Sequence, residues 1–207
     1  MKVAIINYGM GNLSSVRRAF DDMGAETIIA SHPSSLYEVS RVVLPGVGAF
    51  AEGMMHLSQG GWIPALHDVV TVQRKPLLGI CLGMQMLASK GHEGGVSEGL
   101  GLIPGQVQKL DTLGCKLRIP HVGWNEVNYK NEDALFLGIP NLSDFYFVHS
   151  YAFTPVEKDN LIATVSYGIG LAAVIRKDHV FGCQFHPEKS SKVGRKLLKN
   201  FMDYSPC

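Results

Sequence analysis

Long apolar runs are missing from this sequence. None reaches the about 18 uninterrupted apolar residues that a membrane-crossing helix needs. The opening MKVAIINYG is a short apolar stretch ended by glycine, too brief for a signal peptide. Charge of one sign is missing too: the formal net charge is +1, with 18% charged residues. That removes the usual electrostatic footprint of nucleic-acid or anionic-membrane binding. The four cysteines (Cys81, Cys115, Cys183 and Cys207) form no CxxC pair, so a disulfide framework is not expected. Eight histidines show neither HExxH nor zinc spacing with cysteine, and no P-loop lysine motif occurs. No linker, repeat or low-complexity tract divides the chain. These absences leave a soluble, cytoplasmic protein with no metal and no cofactor as the expectation.

What is present is apolar and punctuated. Hydrophobic residues make up 46% of 207 residues, enough for a sizeable core in one domain spanning 1–207, since ordinary domains hold roughly 100–200 residues. In the first half, short apolar runs alternate with helical periodicity. Strands are expected over 2–7, 27–30, 41–44 and 76–80, with helices over 13–23, 63–73 and 84–89. Asn12 or Ser14 can cap the first helix. The second half reads as strands over 106–110, 116–119, 125–129, 145–153, 161–167, 172–176 and 180–185, closed by a helix over 192–203. This order predicts an α/β fold: a mostly parallel central sheet with helices on both faces, plus added antiparallel strands.

The chemistry-bearing feature is Gly79-Ile80-Cys81-Leu82-Gly83, where an expected strand meets a helix. Small residues flanking a nucleophile permit the sharp elbow that presents its side chain. Cys81 would then stand at the carboxyl edge of the sheet, where open α/β folds bind ligands. Free N–H groups and the dipole at a helix start would favour its thiolate. A lone cysteine is ordinarily a core residue, and Cys183, inside an apolar run, reads that way. Cys115 and Cys207 carry no expected role. A nucleophilic thiol needs a base, and the base needs an orienting acceptor; His186-Pro187-Glu188 supplies both just past a strand. Pro45-Gly46-Val47-Gly48 follows another strand, and its backbone N–H groups, with that of Leu82, could form an oxyanion hole. Gly9-Met10-Gly11-Asn12-Leu13-Ser14 imitates a dinucleotide fingerprint. It lacks the third glycine and the acidic residue at the end of the second strand, so nucleotide binding is not expected.

With Gly-Ile-Cys-Leu-Gly-Met-Gln, His-Pro-Glu and Pro-Gly-Val-Gly in this order, the chain resembles the class I (triad) glutamine amidotransferases over its whole length. The resemblance implies their flavodoxin-like fold. Asn7-Tyr8-Gly9-Met10-Gly11-Asn12, Pro120-His121-Val122-Gly123-Trp124-Asn125 and Tyr146-Phe147-Val148-His149-Ser150-Tyr151 are similar to motifs of one branch. Its members are glutaminase subunits that deliver ammonia to a (β/α)8 cyclase subunit in histidine biosynthesis. The resemblance implies a Cys81, His186 and Glu188 triad, and an oxyanion strand at Gly46, Val47 and Gly48. It implies L-glutamine held by Gln85, Glu93, Ser150 and Tyr151, and a heterodimer face built from Pro120, His121, Trp124, Asn125 and Tyr146. One departure stands out: family members often carry arginine where Met55 precedes His56, which implies a differently anchored loop and altered basal turnover. Sister amidotransferases, a free-standing γ-glutamyl hydrolase and a degenerate binding module are the alternatives. The last usually loses the Cys or His that this chain keeps.

Overall fold

The computed structural model describes residues 1–129 and 132–205, so Cys207 lies outside the described residues. Nine strands form the main sheet, in the order β2-β1-β3-β4-β13-β12-β11-β8-β9. Five of them, β1 (Lys2–Ile6), β2 (Glu26–Ala30), β3 (Arg41–Gly46), β4 (Leu77–Cys81) and β13 (Val180–Cys183), run parallel to one another. From β13 the sheet continues antiparallel through β12 (Gly170–Lys177), β11 (Leu161–Ser166), β8 (His121–Tyr129) and β9 (Ser143–His149). Burial explains the division. Strands β3, β4 and β13 are buried at every position, as strands covered on both faces must be, whereas β8 and β9 alternate and leave one face open. A second sheet joins β10 (Tyr151–Pro155), β7 (Gly105–Lys109), β5 (Lys90–Gly91) and β6 (Ser97–Glu98).

Two apolar clusters cover the faces of the main sheet. Helices α1 (Leu13–Asp21) and α5 (Ser191–Asp203) supply Phe20, Leu197, Leu198 and Phe201 to one. Helices α2 (Phe50–Gln59), α3 (Trp62–His67) and α4 (Leu82–Met86) supply Leu57, Leu66, Leu82 and Met86 to the other. Asn12 caps α1 by accepting from the Ser15 amide at 3.3 Å. At the far end of α5, buried Arg41 donates to the carbonyls of Met202 and Tyr204, which lack intrahelical partners.

Several expectations need correction. Residues 116–119 form no strand: Lys116, Leu117 and Arg118 are all exposed, so the segment has no face to bury. The expected strand over 145–153 breaks at Ser150, and its halves enter different sheets, β9 beside β8 and β10 beside β7. The helix expected over 84–89 starts earlier, at Leu82, and is only five residues long. The helix expected over 63–73 is α-helical to His67 and widens to π-type turns over Asp68–Val72. Helix α2 was hidden because it follows a glycine-rich loop and carries Gly53 inside.

Candidate active site

Strand β4 ends in a turn that only its neighbours allow. Cys81 has φ 54° and ψ −109°, a conformation that costs a non-glycine residue about 1–3 kcal/mol. A β-carbon on Gly83 would run into the Leu44 carbonyl, and one on Gly79 would lie 2.7 Å from the Gly83 carbonyl oxygen. Strand β3, strand β4 and helix α4 therefore pack backbone against backbone, and Cys81 is lifted to the sheet edge. With five residues, α4 has little dipole. The N–H groups of its first turn have no partner within the helix.

The second arm follows β13. His186 accepts its place from β9: its amide donates to the Tyr146 carbonyl at 2.9 Å. The Ser190 hydroxyl donates to the His186 carbonyl at 2.6 Å and accepts from the Tyr146 amide at 3.0 Å, which locks this loop. His186 Nδ1 lies 2.8 Å from Glu188 Oε1, with both side chains buried. Glu188 Oε2 and His186 Nε2 have no hydrogen-bond partner among the described residues. The Cys81 thiol leans toward the Val148 carbonyl at 3.8 Å, and the Gln184 amide donates to the sulfur at 3.7 Å. Burial alone would lower the His186 pKa. Interaction with the Cys81 sulfur and the Glu188 carboxylate outweighs it and raises the imidazole to about 9. No hydrogen bond of ordinary geometry joins Cys81 to His186 Nε2.

A pocket of about 350 Å³ opens over the thiol. Gln85, Glu93, Ser150 and Tyr151 line it together with Cys81 and His186, as do Val47, Gly48 and Leu82 from the other wall. Gly46 ends β3 behind that wall, buried. Glu93 also accepts from the Phe50 amide at 2.8 Å, so it caps α2 while facing the pocket. Three neighbours were not singled out from the sequence. Gln184 is fully buried beside the thiol, and His149 lines the pocket. The Tyr8 hydroxyl is buried without a partner among the described residues, close to Gly46: a β-carbon there would meet it at 2.5 Å. Polar residues inside apolar strand runs were the available signal for Gln184 and His149. Cys183 and Cys115 are both buried; burial, with Glu188 and Cys81 nearby, pushes the Cys183 thiol well up.

Of the expected partner face, Trp124 is 54% exposed and pairs edge-on with Tyr146. Pro120 is exposed and Asn125 half-buried. His121 departs from the expectation: it is buried, stacked between Tyr167 and Phe147, because it occupies the inward register of β8. Met55 is exposed, and its neighbour His56 ties α2 to the first loop, Nδ1 to the Tyr8 carbonyl at 3.0 Å. Among the described residues no cluster of His, Cys, Asp or Glu is placed to hold a metal, and no helix is long and apolar enough to cross a membrane.

Comparison with known proteins defines the class. The family model "Glutamine amidotransferase class-I" matches residues 4–204, and the chain belongs to that family of glutamine-hydrolysing enzymes. Within it, the similarity is to one kind of subunit. The chain is 48% identical over 200 residues to the imidazole glycerol phosphate synthase subunit HisH 1 of Campylobacter jejuni (strain RM1221), covering 97% of this chain and 98% of the relative. It is 47% identical to the HisH subunit of Moorella thermoacetica, covering 96% and 93%. Among solved structures, PurLQS from Thermotoga maritima superposes with a TM-score of 0.77 at 16% identity, covering 98% of each chain. A structure described as glutamine amidotransferase gives 0.77 at 17% identity, covering 97% of each. These two share the fold.

Proposed function

We propose that the chain is the glutaminase subunit of an imidazole glycerol phosphate synthase, working as one cytoplasmic domain that passes ammonia to a (β/α)8 cyclase subunit in histidine biosynthesis. The observation that carries this reading is the pocket itself: a thiol on a strained elbow, facing an imidazole whose Nδ1 is held by a buried carboxylate at 2.8 Å.

In this reading the Cys81 thiolate attacks the side-chain amide carbon of L-glutamine. The tetrahedral oxyanion takes hydrogen bonds from the backbone of Leu82 and of the Gly46, Val47 and Gly48 strand, each donor worth about 10²–10³ in rate. Gly48 has φ +108°, so the peptide before it can turn toward the site at little steric cost. His186 then gives its proton to the departing nitrogen, ammonia leaves, and a γ-glutamyl thioester remains. Water, deprotonated by His186, attacks the thioester; glutamate departs and the thiolate returns. Glu188 holds the imidazole in the orientation both steps need.

Ammonia released into water at neutral pH becomes ammonium and loses its lone pair, so direct delivery to a partner is the economical use of the reaction. The outward side chains of the β8–β9 hairpin suit such a partner. Val122, Trp124 and Val148 are all exposed, and Trp124 with Tyr146 presents the aromatic surface typical of interface anchors. The test is glutamate release from glutamine by the purified chain, alone and with a cyclase subunit and its nucleotide ligand. A large rise only in the complex supports the reading. Equal rates in both would keep the glutaminase and remove the synthase.

A further inference from the structure

We propose that His149 is a positioning residue of the glutaminase. It is the centre of a one-directional hydrogen-bond chain, running from Asn125 through His121 to the Tyr151 carbonyl, that fixes Gln85 with its Oε1 presented to substrate. The proposal rests on the glutaminase reading above and adds to it the protonation state and orientation of four side chains.

The direction follows from the ends. Asn125 Oδ1 accepts from the Glu126 amide at 2.9 Å, which turns its NH2 group the other way. That group donates to the Ser166 carbonyl at 2.9 Å and to His121 Nε2 at 3.4 Å. His121 Nε2 therefore carries a lone pair, and the ring's proton is on Nδ1. His121 Nδ1 lies 2.9 Å from His149 Nε2, and His149 Nδ1 lies 2.9 Å from the Tyr151 carbonyl, which can only accept. Every link is satisfied when both rings are neutral and both carry the proton on Nδ1. Stacking holds the first ring flat, 4.0 Å from Tyr167 and 4.9 Å from Phe147 between centroids. An added proton on either ring would set two donors face to face. Burial acts the same way and keeps both imidazoles down at about 4.

The consequence lies one step further along. The Tyr151 carbonyl also accepts from Gln85 Nε2 at 3.0 Å, and the second hydrogen of that amide goes to Gln184 Oε1 at 3.0 Å. Both hydrogens are engaged, so Gln85 can offer the pocket only its carbonyl oxygen. The group opposite it must be a donor. The amide nitrogen or α-ammonium of glutamine qualifies, whereas the γ-carboxylate of product glutamate does not. His149 acts through this arrangement without touching the reacting atoms.

The first test is nitrogen-detected NMR of the histidine rings in the full chain at neutral pH, which needs no activity. The expected result is a neutral Nδ1–H tautomer for both His121 and His149; an Nε2–H or charged ring at either position overturns the chain. The second is a double-mutant cycle on KM for glutamine, in the complex with saturating cyclase subunit. His149→Leu and Gln85→Ala should each raise KM about tenfold with a smaller change in kcat, the effect of one lost buried hydrogen bond. The double variant should match the worse single within about twofold, because both changes act on one interaction. Additive losses would assign His149 a merely structural role. Asn125→Ala, at the half-buried end, avoids the core: it should mix the His121 tautomers and raise KM severalfold, and no change in either overturns the proposal. A wild-type complex that releases no glutamate would instead remove the functional reading and leave the tautomer result standing.

Discussion

Replacing Glu188 with glutamine removes one charge and nearly nothing else. The carboxylate accepts from His186 Nδ1 at 2.8 Å, with the two side chains 1% and 3% exposed, so solvent screens little of their interaction. Against burial, which lowers it, the Cys81 sulfur and this carboxylate bring the imidazole to about 9. A hydrogen bond to a charged group is worth about 1.5–3 kcal/mol, and one pKa unit corresponds to about 1.4 kcal/mol. Glu188→Gln should therefore lower the His186 pKa by about one to two units. Because the folded pKa lies above the ordinary value of 6.5, the charged ring stabilises the fold fully below about pH 6.5. That contribution is lost as pH rises through about 9. In the variant the contribution is smaller and is completely lost at a correspondingly lower pH. The same 1.5–3 kcal/mol, withdrawn from the transition state, lowers kcat roughly ten- to hundredfold. KM for glutamine should hardly change, since Glu188 does not line the pocket. The assay is glutamate release against pH in the partner complex, beside an NMR titration of the His186 ring. Turnover within twofold of wild type, with the ring still titrating at its original pH, would refute the reasoning.

Three further outcomes are expected. Cys81→Ala should abolish glutamine use yet spare partner binding, so the complex should still run its cyclase reaction on added ammonium salts. Gly83→Ala drives a methyl group into the Leu44 carbonyl; thermal unfolding should show at least the ~1–3 kcal/mol loss of an overpacked core, or no soluble protein. Trp124→Ala removes an exposed side chain, so the unfolding temperature of the isolated chain should stay put. Affinity for the cyclase subunit, read by calorimetry, should fall by ~2 kcal/mol, about thirtyfold.

Most of the architecture was legible because parallel strands covered on both faces leave continuous apolar runs, and Val3–Ile6, Val42–Leu44 and Leu77–Ile80 are such runs. The elbow was legible for a different reason: a thiol between two glycines at a strand end has few other uses. What stayed hidden depends on distant partners. Nothing in the local sequence breaks the run over 145–153; the break at Ser150 exists because Tyr151 pairs with Lys109 and His149 with His121. His121 was expected on the partner face because the family resemblance placed it there with Pro120 and Trp124. Strand register, which sends alternate residues to opposite faces, places it inside. Glu93 shows the same limit, since the helix end that it caps lies 43 residues away in sequence.

Register also joins the pocket to the face proposed for the partner. In the β8–β9 hairpin, Val122 pairs with Val148 and Trp124 with Tyr146 on the outer face, while His121 pairs with His149 on the inner one. Neighbouring residues of one strand thus serve opposite sides: Val148 exposes its side chain yet gives its carbonyl to the Cys81 thiol, and the next residue, His149, lines the pocket. Tyr146 stands beside the outer aromatic patch, and its carbonyl receives the His186 amide. A partner seated on the outer stripe bears on the same backbone that sets both arms of the site. No long-range wire is needed for the coupling, because one strand carries the sulfur's acceptor, the base's tether and the ring that shares the Tyr151 carbonyl with Gln85.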